Sequence, residues 1–279
     1  MMKIIEKNNV LESDFYLPTI FFTDNSVIVN KHTLSPIITL EFSKKLRLKI
    51  HRIYKDESLI LVRVDSLIHH KQLSDADLEF YPIKAFLSLP TAEKFRKLIL
   101  KAVQWMEWDL TVRYCHSCGN KLAHSVVDMR KRCNHCHIAL SPMFSPAVLV
   151  LVTHNNRILL ARSPHFKPKV YSAIAGFINP GETAEEAAVR EVKEEVGLTI
   201  GKLTYFGTQT WPFPDRFMIA FTAEYLSGEL CIDKQELEDA QWFNIHDLPK
   251  LPYSSSLSKK LIDSFIAEML NSTEEKKPE

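Results

Sequence analysis

Residues Gly176 to Leu198 read GFINPGETAEEAAVREVKEEVGL, and no other stretch restricts the fold and chemistry of this chain as strongly. Thr183 is a helix N-cap residue type, and Glu186 three positions on completes a capping box. Gly197 suits the far end of that helix, where left-handed backbone is common. Ala184, Ala188, Val192 and Val196 recur every four residues, which makes one buried stripe. Glu191, Glu194 and Glu195 stand at i, i+3 and i+4, so their carboxylates share another face. Like charges that close repel one another. A hard divalent cation reverses that cost, because Mg²⁺ and Mn²⁺ take oxygen ligands. A solvated acidic face is the commoner fate of a glutamate cluster. Glycine usage argues against it here: of the chain's 7 glycines, Gly176, Gly181 and Gly197 lie in this stretch, where they shape a loop and a helix end.

Four of the five cysteines form a second pattern, Cys115-x2-Cys118-x14-Cys133-x2-Cys136. Two CxxC knuckles at this separation signal a zinc ribbon, each placing two thiolates on one tight turn. Gly119 suits the first turn. His116, His124, His135 and His137 lie nearby and read as bystanders, since four cysteines already complete a tetrahedral, structural Zn²⁺ site. The rival is a pair of disulfides, which needs an oxidising compartment. The start, MMKIIEKNNVLESD, is charged and lacks the apolar run of a secretory signal. No segment approaches a transmembrane span, so the expectation is a cytoplasmic protein with no membrane partner. The fifth cysteine, Cys231, reads as a small buried hydrophobe in the strand-like ELCI.

With 279 residues there is room for about two domains, and a net charge of +1 gives no chain-wide signature of nucleic-acid binding. Strands are expected at Leu46 to Ile53, Ser58 to Val64 and Phe80 to Leu89. His69 and His70 read as a surface pair. A helix starting at Pro90-Thr91 carries Phe95, Leu98, Ile99, Ala102, Trp105 and Met106 as a core stripe. Beyond the cysteines, AVLVLVTHNNRILLARS reads as a hairpin turning at Asn155-Asn156. YSAIAGF leads into the glycine-bounded loop, and TYFGTQTW, FMIAFTAEYL and AQWFNI follow as strands. Ser256 to Leu270 reads as a closing amphipathic helix.

The stretch matches G-x5-E-x7-R-E-U-x-E-E-x-G-U (U apolar) at Gly176, Glu182, Arg190, Glu191, Val192, Glu194, Glu195, Gly197 and Leu198, and this is the Nudix box. The chain resembles the NADH pyrophosphatase family of Nudix hydrolases over most of its length, with an N-terminal domain, a four-cysteine ribbon and then the box. That family carries SQPWPFPxS downstream; here Thr208 to Arg216 read TQTWPFPDR, with Thr208 and Thr210 for Ser and Pro, and Arg216 for the closing Ser. Trp108 before the cysteines, FMIAFTAEY and DLPKLP also resemble the family.

The resemblance implies an α+β protein. A β-rich domain ending in a helix would span 1–112, a zinc ribbon 113–140, a Nudix domain of mixed sheet between helices 141–272, and a disordered tail 273–279. It implies hydrolysis of NAD(H) to AMP and NMN(H), removal of NAD caps from RNA 5′ ends, and a homodimer. Glu191, Glu194, Glu195, Glu236 and the carbonyl of Ala175 would hold Mg²⁺ or Mn²⁺, with Glu195 activating water and Arg190 orienting the carboxylates, in a pair with Glu182. Phe177 would be a ring-stacking platform. Substrate contacts would come from Gln209, Thr210, Trp211, Pro212, Phe213, Pro214, Asp215 and Arg216, from Ser258, and from Ser141, where the family often has Tyr. Without the resemblance, QTWPFPD would read as a proline-stiffened aromatic loop packed on the core. Two other readings stay open: a Nudix hydrolase of ADP-ribose or another nucleoside diphosphate derivative, and a non-catalytic ribbon protein that binds RNA or protein.

Overall fold

A computed structural model of the protein describes residues 3–5, 11, 14, 17–23, 25–40, 50–55, 60–64, 73–124, 130–213 and 215–274. The expected strand starts at 46–49 and 58–59, the pair His69 and His70, Pro214 and the last five residues lie outside them. The chain divides into two compact units, Met1–Met143 and Phe144–Glu279.

The first unit holds β1 (Lys3–Ile5), β2 (Pro18–Phe22), β3 (Ser26–Asn30), β4 (Ile38–Thr39), β5 (Ile50–Lys55), β6 (Ile60–Val64) and β7 (Leu78–Pro82). They form one sheet in the order β1-β5-β6-β2-β3-β7, with β4 on β2. The strand expected through Leu89 stops at Pro82. Proline has no N–H to continue the ladder, and Ile83 and Phe86, spaced for a helix, bury their side chains from the short α1 (Ile83–Phe86). After a 3-10 turn at Pro90–Ala92 comes α2 (Glu93–Thr111). Of its expected stripe, Ile99, Ala102, Trp105 and Met106 are buried, as are Trp108 and Asp109. Asp109 accepts a hydrogen bond from the Tyr54 hydroxyl (3.1 Å) and forms an ion pair with Lys131 Nζ (3.0 Å). This joins the sheet, α2 and the three-stranded ribbon sheet β8 (Ala123–His124), β9 (Lys131–Arg132) and β10 (Ala139–Leu140).

The second unit is built on β11 (Ser145–His154), β12 (Arg157–Arg162), β13 (Ile174–Phe177), β14 (Thr199–Trp211), β15 (Arg216–Ser227) and β16 (Asp239–Asn244). The order is β14-β15-β11-β12-β16, with β13 paired to β11; β11 and β15 run parallel and the other pairs antiparallel. The hairpin turns at Asn155-Asn156, with Asn155 at φ 53°. β11 is central and buried on both faces, which explains its unbroken apolar run. Val148, Val150 and Val152 meet Ala187, Ala188, Val192 and Val196 of α3 (Ala184–Val196). Leu149 and Leu151 meet Leu257, Leu261 and Ile262 of α4 (Leu257–Glu274). The mixed sheet between two helices is the Nudix architecture expected. α4 runs on to Glu274, so residues 273 and 274 are helical rather than part of a tail, because no helix-breaking residue interrupts the segment NSTE. Cys231 is also not as expected. It is exposed in an unpaired connection, where its N–H donates to Val196 O (3.0 Å) instead of to a strand.

Candidate metal-binding active site

The helix α3 begins and ends as its sequence requires. Thr183 Oγ1 accepts from the Glu186 N–H (3.1 Å), and Glu186 returns the bond to the Thr183 N–H (2.8 Å). Gly197 closes the helix at φ 73°. The three glutamates do not behave alike. Glu191 and Glu195 are buried, whereas Glu194 is exposed and bonded to Arg190 Nη1 (2.8 Å). The carboxylates that converge are Glu191, Glu195 and Glu236, each offering an oxygen within 4.8 Å of the others.

Main-chain bonds bring Glu236 there. Cys231 N donates to Val196 O and Asp233 N to Glu195 O (2.9 Å), so the chain after β15 is stitched to the last turn of α3. On the other side lies β13. Its Gly176 leaves space that Glu191 fills: a Cβ at residue 176 would meet Glu191 Cδ at 1.8 Å. Ala175, beside it, is exposed and pairs with Leu149.

Arg190 organises this edge. Its Nη1 donates to Glu191 (2.8 Å), its Nε to Glu182 (2.5 Å) and its Nη2 to Glu182 (2.9 Å) and to the Phe177 carbonyl (2.8 Å). Glu182 also accepts from Asn179 N (2.9 Å). The Arg190 bonds lower the pKa of Glu182, and the same carboxylates raise that of Arg190. Burial raises Glu191. Glu195 is pushed up to about 8, first by burial and then by the charges of Glu191, Glu236 and Asp233. Its buried Oε2 has no hydrogen-bond partner among the described residues. An unsatisfied buried oxygen on a carboxylate that converges with two others is costly for the protein alone. It becomes favourable once a hard cation is coordinated, so the donor set fits Mg²⁺ or Mn²⁺.

The residues expected at the substrate divide into groups. Gln209, Thr210 and Trp211 lie at the end of β14, and Arg216 opposite Trp211 opens β15. Between them Pro212 is buried, and the Trp211 and Phe213 rings meet edge-on at 5.1 Å. Gln209 Nε2 donates to Ser255 O (2.8 Å). Asp215 is bound by Ser145, whose hydroxyl donates to its carboxylate (2.9 Å). Phe177 is 48% exposed, and the Arg216 guanidinium lies 5.3 Å from its ring centre. Ser258 is buried; its hydroxyl pairs with that of Ser172 (2.8 Å) and accepts from Ala173 N (3.2 Å), so it is engaged inside the domain. Ser141 belongs to the first unit, just after β10, and is exposed. The sequence reading missed Asp233, which adds charge at Glu195, and Ser145, which fixes Asp215. Each is a single polar residue without a local pattern.

In the first unit the four cysteine sulfurs also converge. Cys115 and Cys136 lie 3.4 Å apart and Cys118 and Cys133 3.5 Å. A disulfide needs about 2.05 Å, whereas tetrahedral Zn–S bonds of about 2.3 Å place sulfurs about 3.8 Å apart. Gly119 at φ 72° and His137 at φ 59° close the two knuckles. N–H groups at Asn120 lower Cys118 to about 6, while the crowding sulfurs of Cys118, Cys133 and Cys115 raise Cys136 to about 12. A cation relieves that crowding. Among the described residues the cluster contains only cysteines, and His124 instead lies 3.3 Å from Asp109.

Residues 143–265 match the family described as NUDIX domain. Over that segment the chain is similar to the Nudix family. The sequence is 43% identical over 178 residues to a protein of Pseudomonas fluorescens named NAD-capped RNA hydrolase NudC, a match covering 64% of each chain. To the protein of the same name from Pseudomonas aeruginosa it is 43% identical over 167 residues, 60% of each. The chain thus spans a little under two thirds of the length of these curated relatives. A Nudix hydrolase structure from Nitrosomonas europaea aligns at TM-score 0.47 and 20% identity, covering 60% of this chain and 95% of that one. Among the described residues, no helix is long and apolar enough to cross a membrane.

Proposed function

We propose that the protein hydrolyses the pyrophosphate bond of NAD(H), giving AMP and NMN(H), and that the same site accepts NAD caps on RNA 5′ ends. The observation that carries the reaction class is the convergence of Glu191, Glu195 and Glu236, with the buried Glu195 Oε2 lacking a hydrogen-bond partner among the described residues. The names of the relatives and the QTWPFPD hairpin support the choice of substrate.

Glu191, Glu195 and Glu236, with the Ala175 carbonyl, would hold Mg²⁺ or Mn²⁺. When bound, the metal supplies charge neutralisation for the two phosphates and a lowered pKa for water. Arg190 fixes the Glu191 carboxylate and, through the Phe177 carbonyl, the loop that carries the ring platform. Glu195, buried beside Glu191 and Glu236, would take a proton from water. As that proton passes to Glu195, the water oxygen bonds to one phosphorus. The bridging P–O bond breaks, and its electrons leave with the other mononucleotide. Phe177 and the Trp211–Arg216 turn receive the ring. Glu194, held by Arg190, stays at the rim as a charge near the metal.

Zn²⁺ in the four-cysteine cluster, a cytoplasmic location and a homodimer complete the proposal; size-exclusion chromatography with light scattering checks the last. The reaction is tested by mass-spectrometric analysis of products from NADH and from NAD-capped RNA with Mg²⁺ and with Mn²⁺. AMP and NMNH are expected. Release of nicotinamide would exclude the pyrophosphate as the point of cleavage, and much faster turnover of ADP-ribose would replace NAD(H) as the substrate.

A further inference from the structure

The chain carries a net charge of only +1, but its lysines are unevenly placed. Residues 163–172, which lead into β13, and 248–260, which run into the first turn of α4, hold five lysines and no aspartate or glutamate. The fold brings the two segments together. Tyr171 N donates to Lys250 O (2.9 Å), and Val170 bridges to Lys250 as a parallel partner. Lys167 Nζ donates to the Tyr253 hydroxyl (3.1 Å) and lies 5.6 Å from the centre of that ring. Lys169, beside Val170, is held at φ 65°, so the loop turns there. Lys167, Lys169 and Lys250 are exposed, and among the described residues no carboxylate pairs with any of them. Lys259 differs, being paired with Asp263. Phe166 stands in the same loop and is exposed. Pro164, Pro168, Pro249 and Pro252 stiffen both segments.

Scattered surface lysines are ordinarily just solvated. The place of these three points to a partner. Their loop feeds directly into β13, which carries Ala175 and Phe177. The second segment is tied to the QTWPFPD hairpin, because Gln209 Nε2 donates to Ser255 O (2.8 Å). The basic surface is therefore continuous with the candidate site inside one compact unit. From Val170 to Phe177 the chain can span at most about 23 Å. In an NAD cap the RNA is joined through the adenosine ribose, so its phosphates trail away from the pyrophosphate one after another. A free dinucleotide has no such extension. Cations that follow the phosphates, with an exposed aromatic ring to receive a base, are what a single strand needs.

We propose that Lys167, Lys169, Lys250 and Phe166 form a docking surface for the single-stranded RNA that follows an NAD cap. The inference rests on the cap reading given above and assigns the RNA chain a surface separate from the metal site. Such a surface adds affinity for capped RNA and gives nothing to free NAD(H).

The test compares the wild type with K167Q/K169Q/K250Q, with F166A, and with K97Q/K101Q/K202Q, which removes exposed lysines elsewhere. Circular dichroism checks folding. Each protein is assayed with Mn²⁺ for kcat/KM on NADH and on an NAD-capped RNA of about twelve nucleotides. Binding of the same RNA without its cap is followed by fluorescence anisotropy over a range of salt. K167Q/K169Q/K250Q should turn over NADH like the wild type and lose about tenfold or more on capped RNA at roughly 0.1 M salt. Its salt slope for RNA binding should be smaller by about two, since each phosphate contact on a single strand contributes about 0.7. F166A should weaken RNA binding about tenfold with its salt slope unchanged. The charge-matched control should behave as wild type. Equal decapping by wild type and K167Q/K169Q/K250Q, or an equal loss in the control, overturns the inference and leaves the hydrolase reading standing. A matching loss on NADH would place the lysines at the dinucleotide and overturn it too, as would tighter binding of anionic lipid vesicles than of RNA through the same lysines. If RNA binding falls in the variant while the wild type cleaves neither NADH nor capped RNA, the surface stands and the hydrolase reading falls.

Discussion

Gly176 and Glu191 are complementary in shape: the carboxylate of Glu191 occupies the place where a Cβ on residue 176 would sit, 1.8 Å from its Cδ. The backbone at Gly176 is not left-handed, so an alanine there is not conformationally strained. Its whole effect falls on Glu191. G176A should fold normally by circular dichroism while losing about a hundredfold in metal-dependent hydrolysis, since a displacement of about 1 Å at a reacting centre costs that much. Weaker Mn²⁺ binding, read by electron paramagnetic resonance, should accompany the loss. Unchanged Mn²⁺ affinity would separate Glu191 from the metal.

Glu195 links metal binding to stability. Its folded-state pKa of about 8 lies above that of an unfolded glutamate. The unfolded chain therefore releases this proton first as pH rises. The contribution of the protonated group is fully present at low pH, fades as pH climbs from the ordinary carboxylate range, and is gone above about 8. In chelator at pH 8.5, roughly the upper end of that window, Glu195→Gln should raise the melting temperature, because it removes an unpaired buried charge. At pH 5, roughly where the group is protonated in the folded protein, the two proteins should melt alike. Added Mn²⁺ should stabilise the wild type and leave Glu195→Gln nearly unmoved. A variant less stable than wild type at high pH without metal would refute this account.

Arg190 joins four acceptors: Glu182, Glu191, Glu194 and the Phe177 carbonyl. Lysine offers a point charge and no planar fork, so R190K cannot serve all of them. A loss of about 1–3 kcal/mol in urea denaturation is expected, with kcat reduced more than KM is raised. A change confined to KM would move Arg190 from positioning the carboxylates to touching substrate.

For the cysteine cluster, elemental analysis should find one zinc per chain, and C133S should lose it. Unfolding of the first unit, followed by Trp105 and Trp108 fluorescence, should then occur at lower temperature, because metal affinity becomes folding free energy in such sites. Full zinc content in C133S would contradict a four-thiolate site.

The helix of the box was legible because every constraint on it is local. The cap at Thr183, the stripe through Val192 and the left-handed Gly197 act within a few residues, and the Arg190–Glu182 pair joins the first half of the helix to the residue just before its cap. What could not be read was set by distant partners. Glu191, Glu194 and Glu195 look equivalent in sequence, and only the sheet beneath and Arg190 beside them bury two and leave the third at the surface. The end of β7 at Pro82 was signalled by its own proline, but the apolar residues after it fit a strand as well as a helix. Ser258 and Cys231 show the same limit: one hydroxyl is engaged within the core and one thiol is left outside it, according to what α4 and α3 place beside them.

The attachment of Glu236 has a consequence for how this protein can change. The two bonds that pin its segment to α3 use only amide hydrogens, at Cys231 and Asp233, and they land on carbonyls that a helix end leaves open. Those two bonds in themselves do not depend on the side chains of Cys231 and Asp233. The anchoring amide at Cys231 survives any side chain but proline, while Leu230 and Ile232 beside it pack on the core, so a carboxylate of the candidate metal site is kept in register by a stretch of chain with no recognisable signature of its own.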